Sequence, residues 1–203
     1  MPVPWRVLGL TFRKVRTRSS VDLMSGEQPV LAADQLLHTP VHLGDLMVAA
    51  LKRHANSPVL QLGDVELTGR QMADAISQYV QACEALGSGT GTAVGLLALN
   101  RPEVLFVIGA GQTQGWRRTA LHPLGSLDDH AYVLSDAGVS TLIIDPVPMF
   151  VDRAVALLEK VDSLTQILTL GPVPDALVGS AVDVIAAAAE YPVQPLTAKV
   201  LDP

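Results

Sequence analysis

Apolar residues recur at spacings of three and four from Leu43 to His54, where Leu43, Leu46, Met47, Ala50 and Leu51 predict an amphipathic helix with that stripe as its apolar face. Two short runs follow, Val59 to Leu62 and Val65 to Leu67. They flank Gly63-Asp64, a turn pair of the kind that reverses strands, and so predict a β-hairpin. Thr68-Gly-Arg-Gln71 has the spacing of a capping box and opens a helix running to about Leu86. Gly87-Ser-Gly-Thr-Gly91 ends that helix.

Beyond Gly91 the pattern alternates between strand-length apolar runs and helical periods. Ala93 to Leu99 is a continuous apolar run of the kind found in parallel strands covered on both faces. Asn100-Arg-Pro-Glu103 supplies a second capping-box spacing, with Asn100 as cap, so a helix is expected from about Arg101 to Gln114. Strands are expected at Arg117 to Leu121, Thr141 to Asp145 and Gln166 to Leu170. Helices are expected from Ser126 to about Gly138 and from Pro148 to Val161, the latter with Phe150, Val151, Ala154, Leu157, Leu158 and Val161 inward. The sum is βαβαβαβ, which predicts an α/β fold with a mostly parallel sheet and helices on both faces. After Gly171-Pro-Val-Pro174 the reading weakens to an alanine-rich helix near Val182 to Glu190 and a proline-bearing extended end. The organisation expected is a loose leader at 1–36, an α/β subdomain at 37–175 and a connector at 176–203.

Composition narrows the class. Hydrophobic residues make up 49% of the 203 positions and charged ones 17%, so the chain must bury a core. A net charge of −6 excludes a general electrostatic case for nucleic-acid binding. The exception is local: Arg6, Arg13, Lys14, Arg16 and Arg18 interleave with Trp5, Leu8, Leu10 and Phe12. That stretch reads either as a weak membrane-surface contact through residues 1–18 or as a leader ahead of a true start at Met24. No apolar window reaches the length of a membrane span. One cysteine, Cys83, continues a helical apolar series with Met72, Ile76, Tyr79 and Val80 and is expected to be packing. With no disulfide framework, the chain is placed in a reducing cytoplasm.

Several motifs invite a chemical reading and meet a plainer one. Gly109-Ala-Gly111-Gln-Thr-Gln-Gly115 approximates a dinucleotide-binding loop, yet its third glycine is one residue too far along, and the segment is expected to be a helix whose glycines permit close packing. His38 and His42 have metal-ligand spacing but are separated by Pro40 and lack companion ligands. His54 and His130 have no partners in sequence. His122 sits at the carboxyl end of a predicted parallel strand, where open α/β sheets place ligands, and Asn100 and Arg101 share that logic. These three are the candidate substrate- or CoA-facing residues, against a plainer reading in which His122 satisfies loop backbone. Adjacent Asp128 and Asp129 suit the first turn of a helix without catalysis. Neither a Gly-x-Ser-x-Gly elbow nor a phosphate loop of P-loop spacing is present.

From about Val41 onward the chain resembles the first part of the adenylate-forming (AMP-binding) superfamily, especially its fatty-acyl-CoA ligases. The resemblance lies in Leu60 to Asp74, in Gly91 to Val104 with its Asn-Arg-Pro-Glu, and in Leu124 to Gly138, followed by a strand ending in Asp145. The sequence departs from the family at Gln112 to Arg118 and at His122, where asparagine is common. The resemblance implies a two-step enzyme using ATP, magnesium and CoA: a fatty acid is converted to an acyl-adenylate, and the CoA thiol then displaces AMP. It also implies a phosphate loop, an acidic magnesium contact and a lid lysine, none of which matches any position here. The expectation is therefore an amino-terminal fragment, inactive alone, which works with the remaining ligase domains on fatty acid and CoA. A stand-alone nucleotide-binding or interaction module stays open, as do homodimerisation and association with a membrane surface.

Overall fold

The computed structural model describes residues 42–199. Its elements in chain order are α1 (Leu43–Arg53), β1 (Pro58–Leu62), β2 (Val65–Thr68), α2 (Gly69–Ala85), β3 (Ala93–Leu97), α3 (Pro102–Gln114) and β4 (Arg117–Ala120). Then come α4 (Leu127–Asp136), β5 (Thr141–Ile144), α5 (Pro148–Lys160), β6 (Gln166–Thr169), a 3₁₀ turn (Asp175–Leu177), β7 (Ala181–Asp183) and α6 (Val184–Ala189). The calls on the leader, on residues 1–18 and on His38 lie outside the described residues.

β1 and β2 form an antiparallel hairpin in which Leu62 faces Val65, closed by Gly63 at φ 58°, a conformation glycine reaches without a Cβ clash. The remaining strands form one parallel sheet in the order β4-β3-β5-β6-β7. The chain runs outward from β3 to β4, then crosses back over β3 to β5, which makes the β3–β5 seam the topological switch point of a doubly wound sheet. Every side chain of β3 and β5 is buried, as their continuous apolar runs predict. Alternation along the strands sends Leu97, Leu142, Ile144 and Ile167 into a core under α4 and α5. Val94, Leu96, Ile143 and Leu168 enter a second core with side chains of α2, α3 and α6.

Local signals act as read at several points. Thr68 and Gln71 form the reciprocal capping box of α2, and Ser126 and Asp129 form that of α4. Gly115 ends α3 in the left-handed region at φ 74°. The glycine-rich segment lies within α3, as expected. A Cβ on Gly109 would stand 2.6 Å from the Ile76 side chain of α2, so this glycine serves helix packing and not a dinucleotide loop. Cys83 is fully buried on α2, and burial pushes its thiol up to about 12, leaving a packing residue with no reactive thiolate.

Three readings require correction. Asn100 does not cap α3: the cap position is Arg101, without a side-chain cap bond, and Pro102 occupies the first helical position. Glu103 is thereby one residue too early for a capping box, and it bonds the Arg101 side chain instead. On α1, Leu43, Leu46 and Ala50 are exposed, while Gly44, Val48 and Leu51 face inward. The reason is close approach: a Cβ on Gly44 would lie 2.6 Å from the Gln112 backbone oxygen, so α1 turns its glycine side towards α3. Finally, the sheet continues past 175, since β7 pairs in parallel with β6, Ile167 opposite Ala181 and Thr169 opposite Asp183. Asp183 then caps α6 through the Ile185 and Ala186 amides. A three-residue strand with only Val182 as a large apolar member carries little local signal.

Candidate functional site

The switch point lies where β3 and β5 end side by side. Leu97 is the last residue of β3, and the chain leaves through Ala98, Leu99, Asn100 and Arg101 into Pro102. β5 ends at Ile144, and Asp145 follows with its carboxylate buried. Asp145 Oδ2 accepts the Leu99 amide at 2.6 Å, and its Oδ1 accepts Arg101 Nη1 at 2.8 Å. Arg101 Nη1 also donates to the Leu170 carbonyl oxygen at 2.6 Å, and Arg101 Nε donates to Glu103 Oε2 at 2.8 Å. One guanidinium thus ties together the ends of β3, β5 and β6 and the first turn of α3.

The electrostatics follow from these distances. The Glu103 hydrogen bond, set against partial burial and helped by Asp145, raises the Arg101 pKa beyond its already high ordinary value. At Glu103 burial opposes the charge, but the Arg101 hydrogen bond, a backbone bond and the Arg101 charge outweigh it and hold the carboxyl below its usual range. Asn100 is exposed beside this cluster, in the wall of a shallow cleft with Leu60 and Leu62 of the hairpin and Val104 and Leu105 of α3.

His122 stands one loop away, after β4. Its ring is exposed, and Nδ1 accepts the Leu124 amide at 3.1 Å. A neutral ring accepting at Nδ1 carries its proton on Nε2, so the face left to a ligand is a donor. The His122 carbonyl oxygen meets His130 Nε2 at 2.9 Å, and His130 Nδ1 meets Arg153 Nη1 at 2.9 Å. The structure therefore brings Arg101 together with Asp145 and Glu103, and brings His122 together with His130 and Arg153. No hydrogen bond joins the two groups. His130 and Arg153 had no signal in sequence, because each finds the other across two helices. The role of Asp145 was legible only as a strand end.

Trp116, where the family pattern is broken, is buried against Gly111, with Nε1 donating to the Ser88 carbonyl oxygen at 2.9 Å. Arg117 lies back along the edge of β4 towards the Gly91 carbonyl oxygen, and Arg118 is exposed. The indole bulk is thus absorbed by packing, while the two arginines stay at the surface.

The family model described as "AMP-binding enzyme" matches residues 47–199, which is most of the chain. This chain belongs to the AMP-binding enzyme family. It is 71% identical over 169 residues to the medium/long-chain-fatty-acid–CoA ligase FadD8 of Mycobacterium tuberculosis (strain ATCC 25618 / H37Rv), an alignment covering 83% of this chain and 30% of that protein. It spans about a third of its relative's length or less. Among solved structures, the anthranilate CoA ligase AuaEII in complex with anthranoyl-AMP superposes with TM-score 0.67 at 22% identity, over 79% of this chain and 30% of that one. A putative long-chain-fatty-acid CoA ligase from Rhodopseudomonas palustris CGA009 gives 0.66 at 20% identity, over 78% and 38%. At such identities the superpositions establish the fold alone: the α/β architecture is that of adenylate-forming enzymes.

A nucleotide polyphosphate with magnesium needs unspent cations, convergent backbone donors and a carboxylate free to bind metal. Arg101 is committed to two carboxylates and a carbonyl oxygen. Among the described residues no group of three or more His, Cys, Asp or Glu side chains could hold a metal ion. The residues at this switch point do not fit ATP or magnesium. No helix among the described residues is long and apolar enough to cross a membrane.

Proposed function

We propose that this chain is the amino-terminal α/β part of a fatty-acyl-CoA ligase, which joins a fatty acid to CoA at the expense of ATP through an acyl-adenylate. The observation that carries the reading is the 71% identity to a fatty-acid–CoA ligase over 83% of the chain. Within such an enzyme, the α/β subdomain runs from about residue 37 through β7 and α6, and the chain beyond them leads towards the ATP-binding region. ATP, magnesium and CoA belong to the complete enzyme, with ATP and magnesium held by residues other than those of this switch point. Its partners are fatty acid, CoA and the remaining ligase domains, and its place is the cytoplasm.

In this reading the switch-point cluster is structural. Arg101 and Asp145 hold the strand ends, while Asn100 and His122 are the side chains left facing outward at the carboxyl end of the sheet, with the His122 Nε2–H available to a substrate or CoA oxygen. A chimera tests the proposal: residues 42–199 replace the matching stretch of the M. tuberculosis ligase, and fatty-acid-dependent pyrophosphate release is measured. The chimera should retain at least a tenth of the parent rate, whereas the 203-residue chain alone should give none. A folded chimera without turnover, or turnover by the chain alone, overturns the reading.

A further inference from the structure

Away from the switch point, the corner between β4 and α4 carries a second polar cluster that ligase chemistry does not account for. His130 is buried on α4, one residue beyond the capping box formed by Ser126 and Asp129. Its ring lies between the loop and α5, with Nε2 at 2.9 Å from the His122 carbonyl oxygen and Nδ1 at 2.9 Å from Arg153 Nη1. A guanidinium has only donors, so Nδ1 must accept and Nε2 must carry the proton: the geometry demands a neutral imidazole of one defined tautomer. Arg153 Nη1 donates also to the Gly125 carbonyl oxygen at 2.7 Å. A Cβ on Gly125 would fall 2.4 Å from His130 Nε2, so the loop is packed directly against the ring.

We propose that His130 and Arg153 form an acid-released latch that fixes the Leu121–Gly125 loop, and with it His122, at the carboxyl end of the sheet. Protonation of His130 replaces the acceptor at Nδ1 by a donor and sets two cations in contact. Arg153 must then leave, and the Gly125 carbonyl oxygen loses its partner with it. The charged and titratable groups facing the ring are Arg153 from α5, His122 from the loop and Asp129 from its own helix. Arg153 and a protonated His122 both oppose the imidazolium, while only the exposed Asp129 favours it. Burial first, with the Arg153 charge adding to it, keeps the ring neutral below its ordinary value and outweighs the His122 carbonyl and Asp129. Any effect on catalysis rests on the proposed outward role of His122, but the latch itself is a property of this chain.

Histidine side-chain NMR and amide exchange on the labelled chain, followed from pH 7.5 to 4.5, test the latch without any need for activity. His130 should be the Nε2–H tautomer at pH 7.5 and titrate below 6.5. The protection factor of the Gly125 amide, which donates to the His122 carbonyl oxygen, should fall at least tenfold as His130 protonates, while strand amides such as Leu142 keep theirs. His122 is a second histidine in the same loop, so the measurement is repeated in His122→Asn and in His130→Gln. The step should persist in the first and vanish in the second. Persistence in His130→Gln with loss in His122→Asn overturns the latch. So does a His130 midpoint at or above 6.5, or protection that is unchanged through its titration; these wild-type readouts decide the matter even if a variant fails to fold.

Discussion

Two arginines secure two loops at the same end of the sheet, and they differ in what they hold. Arg101 binds carboxylates, Asp145 and Glu103, whereas Arg153 binds a neutral imidazole and a carbonyl oxygen. Each guanidinium keeps its charge across the whole range in which a protein folds, so the acceptor sets the conditions under which the loop stays closed. A carboxylate accepts until it is protonated, far into acid. An imidazole stops accepting within the range that cells and compartments visit. One corner is therefore a permanent fastening and the other a conditional one, although both are built from an arginine and both join neighbouring elements of one α/β layer.

The contrast is broken most severely at Asp145. Replacing it by Ala removes a buried partner of Arg101 and leaves the Leu99 amide without its acceptor, at a cost of roughly 3 kcal/mol. For a chain of this size that corresponds to a fall in melting temperature of about 10 °C, read by thermal unfolding at pH 7. Arg153→Met keeps the apolar stem but strands His130 Nδ1 and the Gly125 carbonyl oxygen, and should cost about 2 kcal/mol by urea unfolding.

Acidification sharpens the comparison with a smaller effect, since protonating His130 disturbs this corner without deleting a side chain. The folded pKa of His130 lies below its unfolded value of 6.5. Between the two the unfolded chain binds more protons, so stability falls as pH drops through that window and levels off below the lowered folded value. His130→Gln should flatten the decline between pH 7 and 5, whatever its own cost at neutral pH. Glu103 has the same sign at lower pH: its folded value lies below the ordinary 4.5, so its contribution is complete above that value and is lost as pH falls beneath it. Arg101 should thus hold through the range in which Arg153 lets go. The smallest effect is expected at Lys160, whose pair with Asp128 is exposed on both sides; Lys160→Ala should change stability by no more than about 0.5 kcal/mol, and salt should erase even that.

Much of the fold was legible because it is written locally. The Thr68 to Gln71 and Ser126 to Asp129 caps and the Gly63 turn satisfy their own backbone within a few residues, and the continuous apolar runs of β3 and β5 mark strands covered on both faces. The candidate site was legible only in outline. Placing Asn100, Arg101 and His122 at strand ends follows from topology, but nothing within a few residues of Arg101 announces Asp145, 44 positions away, or the Leu170 carbonyl oxygen at 69. The mistaken cap at Asn100 has the same origin. Asn-x-x-Glu is a valid local pattern, and it loses because Pro102 starts the helix one residue later while Arg101 claims Glu103.

Periodicity, caps and turn residues were sufficient for the order and kind of nearly every element, because helical hydrogen bonds, caps and the alternation of side chains along a strand depend on neighbours in sequence. They could not say which face of α1 is buried, because the contact of Gly44 with α3 outranks the larger apolar stripe of Leu43 and Leu46. They could not reveal β7 either, a strand of three residues that exists by virtue of the β6 edge beside it. Nor could they assign the protonation state of His130. That state is set by a guanidinium from another helix and a carbonyl oxygen from a loop, brought within 2.9 Å only when the sheet has wound its helices onto the same face.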